Sequence, residues 1–263
     1  MTFWREASTL LFALRPRLAR SSTKVSSGLS RVPTATDYKI LMLQRSAQSS
    51  FMPLKLVFPG GMVNDADHSG DWHAVFEKVM GYRMTEMTYH FSSNASHFSH
   101  NLHDSWTLPP DVAYRICAIR ETFEESGLLL ATNRDLLSSS YEPFIATCSA
   151  DDLTKAAGHR QKVDEQPEYF LQMCEDLGVF PNIWALNEWR NWLTPVFFKV
   201  LKPPLKPNRF NTLFYMCCVD CDAVPQTSAD EVETTKAEAS LTAVLSLLCL
   251  IWMLYICAGK YWV

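Results

Sequence analysis

The chain has 263 residues, 48% hydrophobic and 12% aromatic, with a formal net charge of −4 from 24 basic and 28 acidic side chains. This composition excludes an intrinsically disordered chain and gives no global attraction to nucleic acid or an anionic membrane, so any anionic ligand must be held by local charge. The eight cysteines (Cys117, Cys148, Cys174, Cys217, Cys218, Cys221, Cys249 and Cys257) show no disulfide-framework spacing and fit a reducing compartment.

Residues 1–35 carry Arg5, Arg15, Arg17, Arg20, Lys24 and Arg31 against Glu6 alone, with many serines. Two readings stand side by side: a mitochondrial targeting segment, or a strand over EASTLLFAL followed by a polar loop. DYKILMLQRS (37–46) and LKLVFPGG (54–61) have strand length and composition, the second stopped by a Pro-Gly-Gly turn signal. Residues 62–110 are rich in His, Ser and Asp and read as an irregular insertion holding one helix over 72–80. Within it His97, His100 and His103 read as part of a polar loop rather than a metal site.

Pro109 and Pro110 start, and Gly127 stops, a helix whose Val112, Ile116, Ile119 and Phe123 form a buried stripe. PEYFLQMCEDLG (167–178) predicts a further helix and RFNTLFYMCCVD (209–220) a strand; Cys217 to Cys221 read as thiols at a strand end. KVLKPPLKPNR, with Lys199, Lys202, Lys206 and Arg209, reads as a proline-stiffened exposed loop. The uncharged run LTAVLSLLCLIWMLYICAG, from Leu241 to Gly259, is long enough to span a bilayer as an apolar helix and is followed by Lys260.

On the helix that ends at Gly127, Glu121, Glu124 and Glu125 stand at i, i+3 and i+4, opposite the apolar stripe. Like charges one turn apart repel. Either this is a solvated face, or a hard divalent cation such as Mg²⁺ or Mn²⁺ draws the carboxylates together, with Arg120 orienting them by ion pairing.

RETFEESGL, starting at Arg120, resembles the second half of the Nudix box, Gly-x5-Glu-x7-Arg-Glu-U-x-Glu-Glu-x-Gly-U with U apolar; Thr122 stands at the first U. GGMVNDAD supplies a first half, with Gly61 at the glycine and Asp67 at the glutamate position, but the x7 spacer is here 52 residues, 68–119. The preceding LQRS and FPGG resemble the motif of the coenzyme A-cleaving Nudix enzymes, and the likeness runs through NWLTP and RFNTLFYMCC to ADEVE, over about residues 3–233.

The resemblance implies an α/β fold, a Nudix-type α/β/α sandwich with a mixed sheet and a long insertion inside the box, with the apolar C-terminal helix outside the family pattern. It divides the chain into residues 1–36, a Nudix domain over 37–235 with its insertion at 68–108, and the tail 236–263. It further implies Mg²⁺- or Mn²⁺-dependent hydrolysis of the diphosphate in coenzyme A or acyl-coenzyme A, with Glu121 and Glu125 as metal ligands. Glu124 would be a further ligand or proton acceptor, and Arg120 would orient the set. Arg45, Gly60, Gly61 and Asp67 would lie on the substrate side, Asp67 reaching the metal through water. A peroxisomal address is implied too, although the final Tyr-Trp-Val does not match a Ser-Lys-Leu signal. Mitochondrial or membrane-associated locations are the alternatives. The change of character after Glu233 carries an alternative outcome, a weakly active or inactive truncated variant lacking the last elements of the domain, membrane-tethered or acting by binding.

Overall fold

The computed structural model describes residues 4–15, 39–49, 53–80, 108–133, 150–194, 210–220 and 237–240. In chain order the elements are β1 (Arg5–Arg15), β2 (Lys39–Ile40), β3 (Met42–Arg45), β4 (Leu56–Val57), β5 (Gly60–Met62), a 3-10 turn at Asp65–His68, α1 (Trp72–Met80), α2 (Pro110–Ser126), β6 (Ala131–Thr132), α3 (Ala150–Ala157), α4 (Arg160–Glu165), α5 (Tyr169–Leu177), β7 (Phe180–Pro181), a 3-10 turn at Ile183–Ala185, β8 (Asn187–Thr194), β9 (Phe210–Asp220) and β10 (Ala237–Ser240).

The segment REASTLLFALR lies inside the main sheet. β1 pairs in parallel with β9 along its whole length, and its other edge takes β5 at Ala7–Thr9 and β2 at Ala13 and Leu14, both antiparallel. β8 completes the sheet by pairing antiparallel with β9, with an irregularity between Glu188 and Arg190. The sheet is therefore mixed. Leu10, Phe12 and Leu14 join one buried cluster and Leu11 and Ala13 another, so both faces of β1 are covered. Arg5–Arg15 thus forms a strand that is built into the main sheet.

The stretch 37–46, read as one strand, is divided at Leu41, whose amide bonds the Phe12 carbonyl at 3.0 Å. On one side of it β2 continues the main sheet; on the other β3 pairs with β4 and with β10, which lies beyond the expected boundary at 235. All five helices among the described residues feed the cluster containing Leu10, Phe12 and Leu14. The opposite face of the main sheet carries Leu11, Ala13, Ile40 and Met216 with Met42, Phe58, Trp189 and Phe214 packed on them, and no helix among the described residues reaches it.

Two devices hold α2, the helix ending at Gly127, in this core. Val112, Ile116, Ile119 and Phe123 are fully buried, the predicted stripe. Arg115, also buried, donates from Nε to Asp111 at 2.9 Å and from Nη1 to the carbonyls of Ile183 and Leu186, while its guanidinium lies 4.8 Å from the Tyr215 ring centre. Tyr215 donates to Asp111 at 2.9 Å, so this buried charge is fully paired.

α1 belongs to the insertion yet packs into the same core. Trp72 meets Phe170 at 5.8 Å between ring centres, Phe76 meets Phe180 at 5.6 Å, and Phe170 meets Phe123 of α2 at 6.3 Å. The insertion leaves and re-enters at one point, where the Leu108 amide bonds the His68 carbonyl at 3.2 Å. His97, His100, His103, Cys221, the 199–209 loop and the apolar run 241–259 fall outside the described residues. Among the described residues no helix is long and apolar enough to cross a membrane.

Candidate active site

The two halves of the split motif meet at Arg120, which is 2% exposed. Its Nε donates to Asp67 Oδ1 at 2.8 Å and its Nη2 to Asp67 Oδ2 at 2.9 Å, a forked pair closing across 53 residues of sequence. Nη1 reaches Glu124 Oε1 at 2.7 Å and Glu121 Oε1 at 3.1 Å, and Nη2 also donates to the Met62 carbonyl at 3.3 Å. Burial opposes the charge on Arg120, but the hydrogen bonds and charge of Asp67 outweigh it and hold the guanidinium protonated.

Asp67 is in turn fixed by its own turn. Asn64 caps it, accepting from the Ala66 amide at 2.9 Å, while Asp67 Oδ2 accepts from the Asn64 amide at 2.8 Å. Asp67 is 1% exposed, with both oxygens engaged by Arg120 and the Asn64 amide. Its shorter side chain serves as the buried counter-ion that orients Arg120.

Gly60 and Gly61 bring β5 against the acidic turn. The Gly60 amide donates to Glu125 Oε2 at 3.0 Å. With φ at +153° and the Ser8 carbonyl 2.4 Å from where a Cβ would lie, position 60 has no room for a side chain. A Cβ on Gly61 would come within 2.3–2.6 Å of the Glu121 carboxylate atoms, so the absent side chain lets the backbone lie directly on that carboxylate. Cys117, fully buried beneath, has its Sγ 3.5 Å from the Met62 carbonyl, and burial pushes its thiol pKa up.

The three glutamates share one electrostatic condition. Burial pushes Glu121, Glu124 and Glu125 each up to about 7 from 4.5. The Arg120 charge works against the shift at Glu121 and Glu124; at Glu125 the Gly60 amide and then the Arg45 charge do so. Each glutamate also raises a neighbour: Glu125 acts on Glu121, Glu121 on Glu124, and Glu124 on Glu125. Arg45, on β3, donates to Ser49 Oγ from Nη2 at 2.9 Å while its charge is felt at Glu125. Among the described residues no three His, Cys, Asp or Glu side chains converge to cage an ion by themselves.

Sequence reading missed Arg160 of α4, whose Nε donates to the Glu124 carbonyl at 2.9 Å and Nη2 to the Glu125 carbonyl at 2.8 Å. It lies outside every motif, and an arginine opening a short polar helix carries no signal of its own.

An arginine-centred glutamate turn closed by a Gly-Gly strand is the constellation of the Nudix box, here divided by an insertion. The family model for the NUDT19 Nudix domain matches residues 4–246, and the chain belongs to that family. Among similar proteins are those named acyl-coenzyme A diphosphatase NUDT19 from three vertebrates. The Xenopus laevis protein is 36% identical over 90% of this chain and 62% of its own length, and that of Gallus gallus 37% over 88% and 59%. The Homo sapiens protein is 34% identical over 82% of this chain and 56% of its own length, so the chain spans about three-fifths of these relatives. A solved NUDIX hydrolase from Alicyclobacillus acidocaldarius aligns with 98% of this chain and 85% of its own, at 17% identity and a TM-score of 0.49.

Proposed function

We propose that this chain hydrolyses the diphosphate of coenzyme A and acyl-coenzyme A, giving 3',5'-ADP and phosphopantetheine or its acylated form, with Mg²⁺ or Mn²⁺ as cofactor. The observation that carries the reading is the turn Glu121–Glu125, three carboxylates driven to about 7 by burial and oriented by Arg120 and the Gly60 amide. The names of the vertebrate relatives support the choice of substrate.

The residues present fit a divalent cation. They offer hard carboxylate oxygens on Glu121, Glu124 and Glu125, whose burial, and to a lesser extent mutual repulsion, disfavours their charged forms until a cation is present. A magnesium site needs only one or two protein carboxylates, the rest of the shell coming from water and substrate phosphates, so a three-ligand cage is not required. Glu121 and Glu125 would hold the ion, with Glu124 beside them. When bound, the ion neutralises phosphate oxygens and makes attacking water more acidic.

The remaining work falls to the chain itself. Arg120 and Asp67 hold Glu121 and Glu124 at fixed positions. Gly61 seats Glu121, and the Gly60 amide seats Glu125. Glu124 accepts the proton of the water whose oxygen bonds to phosphorus as the bridging P–O bond breaks; a carboxylate near neutrality suits that transfer. Arg45 gives the substrate phosphates a counter-charge on the Glu125 side.

The test is to incubate the purified, folded chain with coenzyme A and Mg²⁺ or Mn²⁺ and to follow 3',5'-ADP, with Glu125→Gln as control. Product from wild type and a loss of at least 100-fold in the variant is expected. No product from folded wild type, or equal product from both, overturns the reading.

A further inference from the structure

The last turn of α2 has an electrostatic problem that its own sequence does not solve. The final carbonyls of a helix lack intrahelical partners and carry the negative end of its dipole, where cations are favoured. α2 has no basic residue in its last turn and instead places Glu124 and Glu125 there, with Glu121 one turn earlier. The Gly127 amide caps only the Phe123 carbonyl, at 2.8 Å.

The missing cation comes from another helix. Arg160 spreads its fork over two successive carbonyls, Nε to Glu124 at 2.9 Å and Nη2 to Glu125 at 2.8 Å. Its Nη1 lies over Gly127, 3.6 Å from where a Cβ would stand. Burial lowers the pKa of this guanidinium, and Asp164, one turn further along α4, and the Glu125 charge counter only part of that cost. Two residues whose side chains serve the proposed cation site thus have their backbone clamped by one side chain 35 and 36 positions away.

We propose that Arg160 is a positioning residue that sets the cation affinity of the glutamate turn from outside the box, an inference that rests on the function proposed above. The fork fixes the peptide planes on which the Glu124 and Glu125 side chains are mounted, and its charge opposes the helix end and the carboxylates together. A point charge satisfies the second requirement without the first, because an ammonium cannot reproduce the planar fork.

The experiment measures Mn²⁺ binding by the full chain, by electron paramagnetic resonance of the free ion, for wild type, Arg160→Gln and Arg160→Lys, with kcat and KM for coenzyme A in parallel. Supporting residues around metal ligands typically contribute 10- to 100-fold in metal affinity, so Arg160→Gln is expected to weaken Mn²⁺ binding at least 10-fold. Arg160→Lys should fall between it and wild type, and KM at saturating Mn²⁺ should stay within about twofold. Tyr215→Phe, which loses a buried hydrogen bond to Asp111 away from the turn, controls for destabilisation alone and should bind Mn²⁺ as wild type does.

Wild-type affinity in Arg160→Gln overturns the inference, whatever its melting temperature. If Arg160→Gln does not fold, wild-type affinity in folded Arg160→Lys overturns it in the same way. Absence of Mn²⁺ binding by wild type overturns the cation site and this inference together, whereas equal binding by wild type and variant overturns this inference alone.

Discussion

Replacing Asp67 by alanine tests whether the split box is held together by a buried counter-ion. The change leaves Arg120 Nε and one Nη2 donor without their partner, while Nη1 keeps Glu121 and Glu124. Hydrogen bonds to charged groups contribute about 1.5–3 kcal/mol each, and breaking one side of a buried ion pair costs about 3–5 kcal/mol. With Arg120 at 2% and Asp67 at 1% exposure, solvent cannot compensate, so the expected loss is about 3–5 kcal/mol. For a domain of this size that lowers Tm by roughly 10 °C. Thermal melting by circular dichroism, in the presence and absence of Mn²⁺, gives the measurement. Asp67→Ala melting within about 2 °C of wild type would refute the argument, and loss of Mn²⁺ binding at unchanged Tm would place Asp67 in the cation shell instead. Asp67→Glu is not a neutral alternative, because an extra methylene at a fully packed position costs about 1–3 kcal/mol.

Gly61→Ala should lower kcat at least 10-fold, because the new Cβ would fall 2.3 Å from a Glu121 carboxylate oxygen and displace it; unchanged kcat would exclude that contact as a determinant of Glu121 orientation. In cation-free protein the three glutamates have folded pKa values of about 7 against 4.5, so the folded state binds more protons than the unfolded state between those values. Stability should therefore fall as pH rises from about 4.5 to 7 and level off above, and Mn²⁺ should raise Tm more at pH 8 than at pH 5; a flat Tm profile in EDTA would contradict the burial argument. Tyr215→Phe should cost about 1 kcal/mol by denaturant titration with kcat retained, since it removes a buried hydrogen bond from the Asp111–Arg115 network and touches none of the glutamates.

The helix ending at Gly127 was readable because its signals are local: paired prolines, a stopping glycine, and four apolar residues at helical spacing that all prove fully buried. The glutamates were readable for the same reason, and the Nudix resemblance supplied a chemistry for them. β1 was not readable with the same certainty. Both of its faces are covered, which removes the alternation that marks a half-exposed strand, and arginines surround it in the sequence. The division of 37–46 between two sheets depends on the Leu41 amide turning to Phe12, a partner about thirty residues earlier. The Asp67–Arg120 pair was not legible because no local pattern reveals that a carboxylate 53 positions away satisfies Arg120. Arg160 was invisible because its function is written in backbone carbonyls, which every residue has.

The meeting of the Leu108 amide with the His68 carbonyl has a consequence for how the domain matures. The Asp67–Arg120 pair spans 53 residues, so the glutamates acquire their orientation only once residues 67 and 120 have met across that separation. Such long-range contacts come late, once the entropy of closing the loop has been met. A nascent or damaged chain that has formed α2 alone would hold the acidic residues without their order. The order of the glutamate turn is thereby coupled to completion of the fold.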